Sequence, residues 1–251
     1  MAIDLKTITK NAPKKPIMVL HGPEGIGKTT FAACAPNPVF LLTEDGLGDL
    51  EVPRYPEKEK GTVKSFKEVM EFISDLYIQD HDFKTLVVDS LDKLEPLVWR
   101  NVCERTDVTS IEDVKGGYGK GYVEASKEWQ EFMDGISALR NKKDMFVILI
   151  AHSAIVPVKD PTQPDYDKYI LNLNKRAVSI CTDLPDVVGF ASWETFTNKE
   201  KGEDRYRAVT TGKRVLYLSP KPYHTAKNRY HMREEMPLLW KEFVEALPGG
   251  A

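Results

Sequence analysis

The octet Gly22-Pro23-Glu24-Gly25-Ile26-Gly27-Lys28-Thr29 constrains this chain more than any other segment. It follows the apolar run Ile17, Met18, Val19, Leu20 and precedes a helix-forming stretch over 30–34. A strand, a glycine loop and a helix in that order make a phosphate cradle. The glycines let backbone N–H groups converge on an anion, and the positive end of the following helix adds to the field. In this reading residues Gly22, Pro23, Glu24, Gly25, Ile26, Gly27, Lys28, Thr29 and Thr30 hold the nucleotide. Lys28 reaches the terminal phosphates, and the Thr29 hydroxyl ligates Mg²⁺. ATP and Mg²⁺ are the expected cofactors.

The remaining apolar runs suit a sheet. Strands are expected at 17–21, 39–43, 85–89, 146–151 and 187–193, with a short one near 51–55. Helical spacing is found over 63–77, 91–104, 123–140, 175–183 and 238–247. Strands that are apolar throughout and alternate with amphipathic helices predict an α/β fold, a mainly parallel central sheet covered on both faces. Two late strands, 205–210 and 215–218, flank a Thr211-Gly212-Lys213 turn and form a C-terminal antiparallel extension. Residues 154–173, with Pro157, Pro161 and Pro164, read as a long polar loop. Residues 1–16 are expected to be an N-terminal arm and 17–251 one ATPase domain.

Bulk properties exclude several classes. The chain has 251 residues, 41% hydrophobic and 29% charged, with no apolar run long enough to span a membrane. Its start lacks the basic-then-apolar order of a secretory leader, so a cytoplasmic location is expected. Cys34, Cys103 and Cys181 are too scattered for a zinc or disulfide framework. A net charge of −3 draws no polyanion by itself, so nucleic-acid binding would need basic loops.

Ligands on parallel sheets bind at the carboxyl ends of the strands, where the remaining candidates fall. Asp89 ends Thr-Leu-Val-Val-Asp and is expected to share Mg²⁺ with Thr29 from an adjacent strand tip. Glu44 ends the second strand and is the candidate base that orients attacking water, with Asp45 the alternative. His152 follows the 146–151 strand, as a γ-phosphate sensor or a structural histidine. Lys227 and Arg229 are candidate cations that reach a neighbouring subunit's nucleotide, or else a solvated basic turn. Lys115, Tyr118, Lys120 and Tyr122 interleave cations and aromatics with glycines, and Lys175 and Arg176 follow the second loop. Such groups can track phosphates and stack on bases; a solvated surface loop is the other reading.

This succession of P-loop, Glu, Asp-Ser, glycine-rich loop, helix and polar strand end resembles the RecA-like recombinase core over residues 15–235. It is most similar to the short single-domain RecA-like ATPases of bacteriophages. The resemblance implies ATP hydrolysis in a phage-infected or prophage-carrying bacterial host, with residues 106–122 and 154–174 facing single-stranded DNA. It implies a homo-oligomer with ATP at subunit interfaces, acting in annealing or recombination, with a single-strand DNA-binding protein as a further partner. His152 stands where bacterial RecA has glutamine. A nucleotide-gated scaffold or loader and a nucleotide kinase are the other functional readings.

Overall fold

The computed structural model describes residues 14–249 except 163 and 199–206; the side chains of 196–198 and 207–209 also lie outside the description. Most of the expected arm and the connection after residue 198 therefore fall outside the described residues.

Three strands that are buried along their whole length build the centre: β1 (Ile17–Gly22), β4 (Thr85–Asp89) and the first half of β5 (Phe146–Val158). With β2 (Pro38–Leu42), β3 (Arg54–Tyr55) and the start of β7 (Val187–Asn198) they run parallel. Three further strands attach antiparallel: β8 (Arg207–Tyr217) and β9 (Lys227–Asn228) to β7, and β10 (Glu235–Pro237) to β8. The sheet order is β10-β8-β7-β1-β5-β4-β2-β3. The fold is thus a mainly parallel sheet with a C-terminal antiparallel extension.

Alternation along each strand sends side chains to two separate cores. Ile17, Val19, Leu86, Val88, Val147 and Leu149 pack with α2 (Phe66–Ile78), α3 (Leu91–Thr106), α4 (Lys120–Lys143) and α5 (Lys175–Asp183). Met18, Leu20, Phe40, Leu42, Val87, Ile148 and Ile150 face α1 (Lys28–Ala33), the C-terminal strands and α6 (Trp240–Glu245). Among the described residues no helix is long and apolar enough to cross a membrane.

Three expectations change. Strand β4 is not beside β1; β5 lies between them, so Asp89 reaches the P-loop across an intervening strand. The expected loop at 154–173 is largely a β-ribbon: β5 continues to Val158 and pairs antiparallel with β6 (Tyr166–Leu171). Its prolines are compatible because Pro157 sits on a two-stranded ribbon, where an N–H can be spared. Thr211-Gly212-Lys213 is not a hairpin turn either. It lies inside β8, where Gly212 has φ +77 and the pairing with β7 shifts register between Trp193 and Thr195.

Two residues tie β1 to its surroundings just below the P-loop. A Cβ on Gly22 would sit 2.3 Å from the Ala191 carbonyl oxygen, so only glycine lets β1 and β7 approach this closely. His21 is fully buried; its Nε2 donates to the Thr225 carbonyl at 2.8 Å, which leaves Nδ1 to accept from Ser153 Oγ at 2.9 Å. Burial, with smaller contributions from His224 and Lys28, pushes the His21 imidazole down to about 4 against the bond to Thr225.

Gly22→Ala should cost about 1–3 kcal/mol through overpacking, read as a lower urea midpoint. His21 stays neutral in the fold while the unfolded chain takes up a proton near its ordinary value, so its contribution is intact above about pH 6.5. It is lost as pH falls toward about 4, by up to roughly 3 kcal/mol. Urea midpoints at about pH 7 and pH 4.5 should differ less in His21→Gln, which keeps a donor for Thr225.

Candidate functional site

The P-loop leaves β1 and enters α1 through Gly25 at φ +70 and Gly27 at φ +100, a backbone region that side chains avoid. Ile26 between them is fully buried, anchoring the loop in the core while the glycines open outward. Lys28 is buried and donates to the Gly22 and Pro23 carbonyls at 3.0 and 2.9 Å, so its ammonium lies across the loop. Burial lowers its pKa, against the pull of Asp89, Asp92 and Glu44.

The strand tips converge on this loop because three of them share a face. Asp89 continues the side of Val87 and His152 that of Ile148 and Ile150; Glu44 lies two residues past Leu42. That is the α1 side. The Thr29 hydroxyl donates to Asp89 Oδ2 at 2.9 Å. A cavity of roughly 510 Å³ is lined by Glu24, Gly25, Gly27, Lys28, Thr29, Thr30, Glu44, Asp89 and His152, among others. Asp45 is exposed and does not line it, whereas Glu44 is half-buried and does. Burial raises Asp89 to about 6, with Glu44 adding to the rise and the Thr29 bond and Lys28 opposing it.

This donor set fits a magnesium nucleotide. A hydroxyl and a carboxylate are hard oxygen ligands, and Thr29 and Asp89 already lie within hydrogen-bonding distance of each other. The glycine loop offers backbone N–H groups and Lys28 a cation to phosphates.

His152 is held by a residue the sequence reading passed over. Asp92, in the first turn of α3, accepts from the His152 backbone N–H and meets its Nδ1, both at 2.9 Å. Burial alone would raise Asp92, but its bonds to the His152 ring and backbone leave it lower than usual. The same bond raises His152 against the cost of burial. Glu44, Asp92 and His152 each bring a ligand atom within 4.8 Å of the others. The spacing Asp89, Ser90, Asp92 was visible in the sequence, but its pairing with a residue sixty positions away was not.

Arg214 is a second residue outside that reading. It comes from β8 to lie against the P-loop, its Nη1 2.4 Å from where a Cβ on Gly27 would stand. It also borders a second cavity of roughly 580 Å³ that shares Gly27 and Thr30 with the first and is walled by Phe31, Met236, Leu238 and Trp240.

Other candidates lie elsewhere. Lys227 and Arg229 lie toward the amino ends of the strands, with Lys227 opposite Val188 on β7 and so level with Val19, three residues before Gly22. Lys227 donates to the Thr182 carbonyl at 2.9 Å and also to that of Asp183; Arg229 donates to the Asp183 and Leu184 carbonyls and pairs with Asp186. In the glycine-rich segment Tyr118 is 99% exposed with φ +55, between Gly117 at +84 and Gly119 at +73. Lys115 is salt-bridged to Glu124 at 2.6 Å, Lys120 donates to the Lys115 carbonyl, and Tyr122 donates to Glu112 while packing edge-on against Trp99. Lys175 and Arg176 are exposed at the start of α5, and Arg176 and Tyr122 border one small cleft.

The chain is 25% identical over 236 residues to the SPbeta prophage-derived uncharacterized protein YorG of Bacillus subtilis (strain 168). The match covers 92% of this chain and 65% of the relative, so the chain spans less than two thirds of that protein's length. A protein-family model described as an AAA domain matches residues 14–230, which spans the P-loop, Asp89, Glu44 and His152: the chain belongs to that AAA domain family of P-loop proteins.

Proposed function

We propose that this protein binds Mg·ATP in the P-loop cavity, hydrolyses it, and couples the reaction to single-stranded DNA as an oligomer of RecA-like type. The observation that carries the reading is the convergence of Lys28, Thr29, Asp89, Glu44 and His152 on one cavity. In that arrangement Thr29 and Asp89 hold the magnesium, which neutralises charge on the phosphates. Lys28 and the loop N–H groups hold the phosphates, and Glu44 orients the attacking water and accepts its proton. His152 touches the terminal phosphate. The triphosphate leaves the cradle past Gly27 and Thr30, so its base and ribose enter the neighbouring cavity, against the packed pair Phe31 and Trp240 and beneath Arg214. The C-terminal extension thereby forms the wall for the nucleoside.

Support for the DNA step is the presentation of Tyr118, held out into solvent between glycines beside Lys115 and Lys120. Aromatic rings displayed near cations stack on bases at about 1–3 kcal/mol each. Lys227 and Arg229 lie toward the amino ends of the strands and are bound to carbonyls there, so a nucleotide they serve would be a neighbour's. A homologous prophage-derived protein agrees with a phage setting.

The test is ATP turnover with and without single-stranded DNA across a range of protein concentrations. Turnover should rise with DNA and with concentration, and Lys28→Ala should reduce it at least about 100-fold. Diphosphate formed from added nucleoside monophosphate would assign a kinase instead. Capture of a protein partner only with ATP, with indifference to DNA, would assign a scaffold. Arg214→Ala should weaken binding of a non-hydrolysable ATP analogue about 10-fold by calorimetry, the worth of one charge-assisted hydrogen bond. An unchanged affinity would move the nucleoside elsewhere.

A further inference from the structure

We infer that Asp92 is a positioning residue for the proposed ATP reaction: it grips His152 so that the ring can meet a terminal phosphate only through Nε2, and only as an imidazolium. The inference rests on the nucleotide reading above and adds the state in which His152 acts.

The grip follows from where β4 stops. Its last pairing is Asp89 with Ile150, so His152, two residues further along β5, has no β4 partner on that side. The chain has turned there into α3, and Asp92 in the first helical turn supplies the missing acceptor: Oδ1 takes the His152 backbone N–H and Oδ2 meets Nδ1, each at 2.9 Å. The Asp92 side chain is only 6% exposed, so water competes little for these bonds. A carboxylate accepts and does not donate, so the proton between them is carried by Nδ1. A neutral His152 therefore presents a lone pair at Nε2.

Phosphate oxygens are acceptors as well. A lone pair facing them repels, and a second proton on Nε2 turns the contact into a charge-assisted bond from a cation. Four charged groups bear on the ring: Asp92 on α3, Asp89 at the tip of β4, Glu44 beyond β2, and Lys28 at the start of α1. The carboxylates favour the imidazolium and Lys28 opposes it. The His152 carbonyl accepts from Asn172 N at 2.9 Å, at the foot of the β5–β6 ribbon, so the backbone that carries the ring is itself fixed. A divalent ion held by Glu44, Asp92 and His152 is the competing use of the cluster: Asp92 Oδ1 is taken by the His152 backbone N–H and Oδ2 by Nδ1, so such an ion would sit on Nε2 and Glu44, and a ring nitrogen shift on adding Mg²⁺ alone would reveal it.

Nitrogen-15 NMR of the His152 ring, with Mg and a non-hydrolysable ATP analogue, tests this together with kinetics. The free wild-type protein should show the Nδ1–H tautomer, and the complex should show both nitrogens protonated. Asp92→Asn keeps an acceptor for the backbone N–H but places an amide donor against Nδ1, so its ring proton should move to Nε2. The neutral Nε2–H can still donate but without the cation's charge, so kcat should fall roughly 10-fold, with KM for Mg·ATP changed less than about 3-fold. In a His152→Gln background, whose amide donates without such help, Asp92→Asn should cost less than about 2-fold more.

An Nε2–H tautomer in the free wild type, or a neutral ring in the complex, overturns the proposal even if the variants do not fold. So does an equal loss of kcat from Asp92→Asn in both backgrounds, which would mark Asp92 as structural. Failure of the analogue to bind, with no ATP turnover, overturns the nucleotide reading itself and this role with it; the free-protein tautomer would still report the Asp92 grip.

Discussion

Parallel strands buried on both faces must end together at one edge of their sheet, and polar residues that follow an apolar run have only that edge on which to emerge. Everything at the candidate site depends on this constraint. Strands β1, β2 and β4 end in or lead directly to Gly22, Glu44 and Asp89, the buried half of β5 gives way to His152, and the period of two turns the three side chains toward α1. The Thr29–Asp89 bond at 2.9 Å closes the arrangement, joining the first turn of α1 to a strand two positions away in the sheet.

The insertion of β5 between β1 and β4 gives the site its chemistry. It sets His152 level with Gly22, between the phosphate loop and Asp89. It also lets one strand serve two environments. Its first half is core; its second half leaves the sheet with β6 as a ribbon, so a residue at the cavity is continuous with a surface element. His21 reinforces that link from below, joining β1 to Ser153 and to Thr225, two residues before Lys227.

Burial and specific partners, not net charge, set the state of the acidic groups here. Asp92 is kept ionised by His152 despite its burial, and Glu124 is held down to about 2 by Lys115 and Lys127. Glu95, one helical turn beyond Asp92, is raised by burial to about 7 although it accepts from Asn174 N at the start of α5. The same helix α3 thus holds a residue of the P-loop cavity, His152, with one carboxylate and the segment after the ribbon with another.

Much of this was legible from the chain. The glycine spacing marks the cradle, the buried runs mark the parallel strands, and Thr-Leu-Val-Val-Asp places Asp89 at a tip, because loop geometry and strand burial are local properties. The ribbon at 154–171 was hidden because its prolines and aspartates resemble a loop until β6 pairs with β5. Tertiary structure alone decided which strand separates β1 from β4, that Asp92 grips His152, and that Arg214 lies against Gly27. These contacts join residues 60 to nearly 190 positions apart, and no short-range pattern records a pairing that exists only once the sheet order is set.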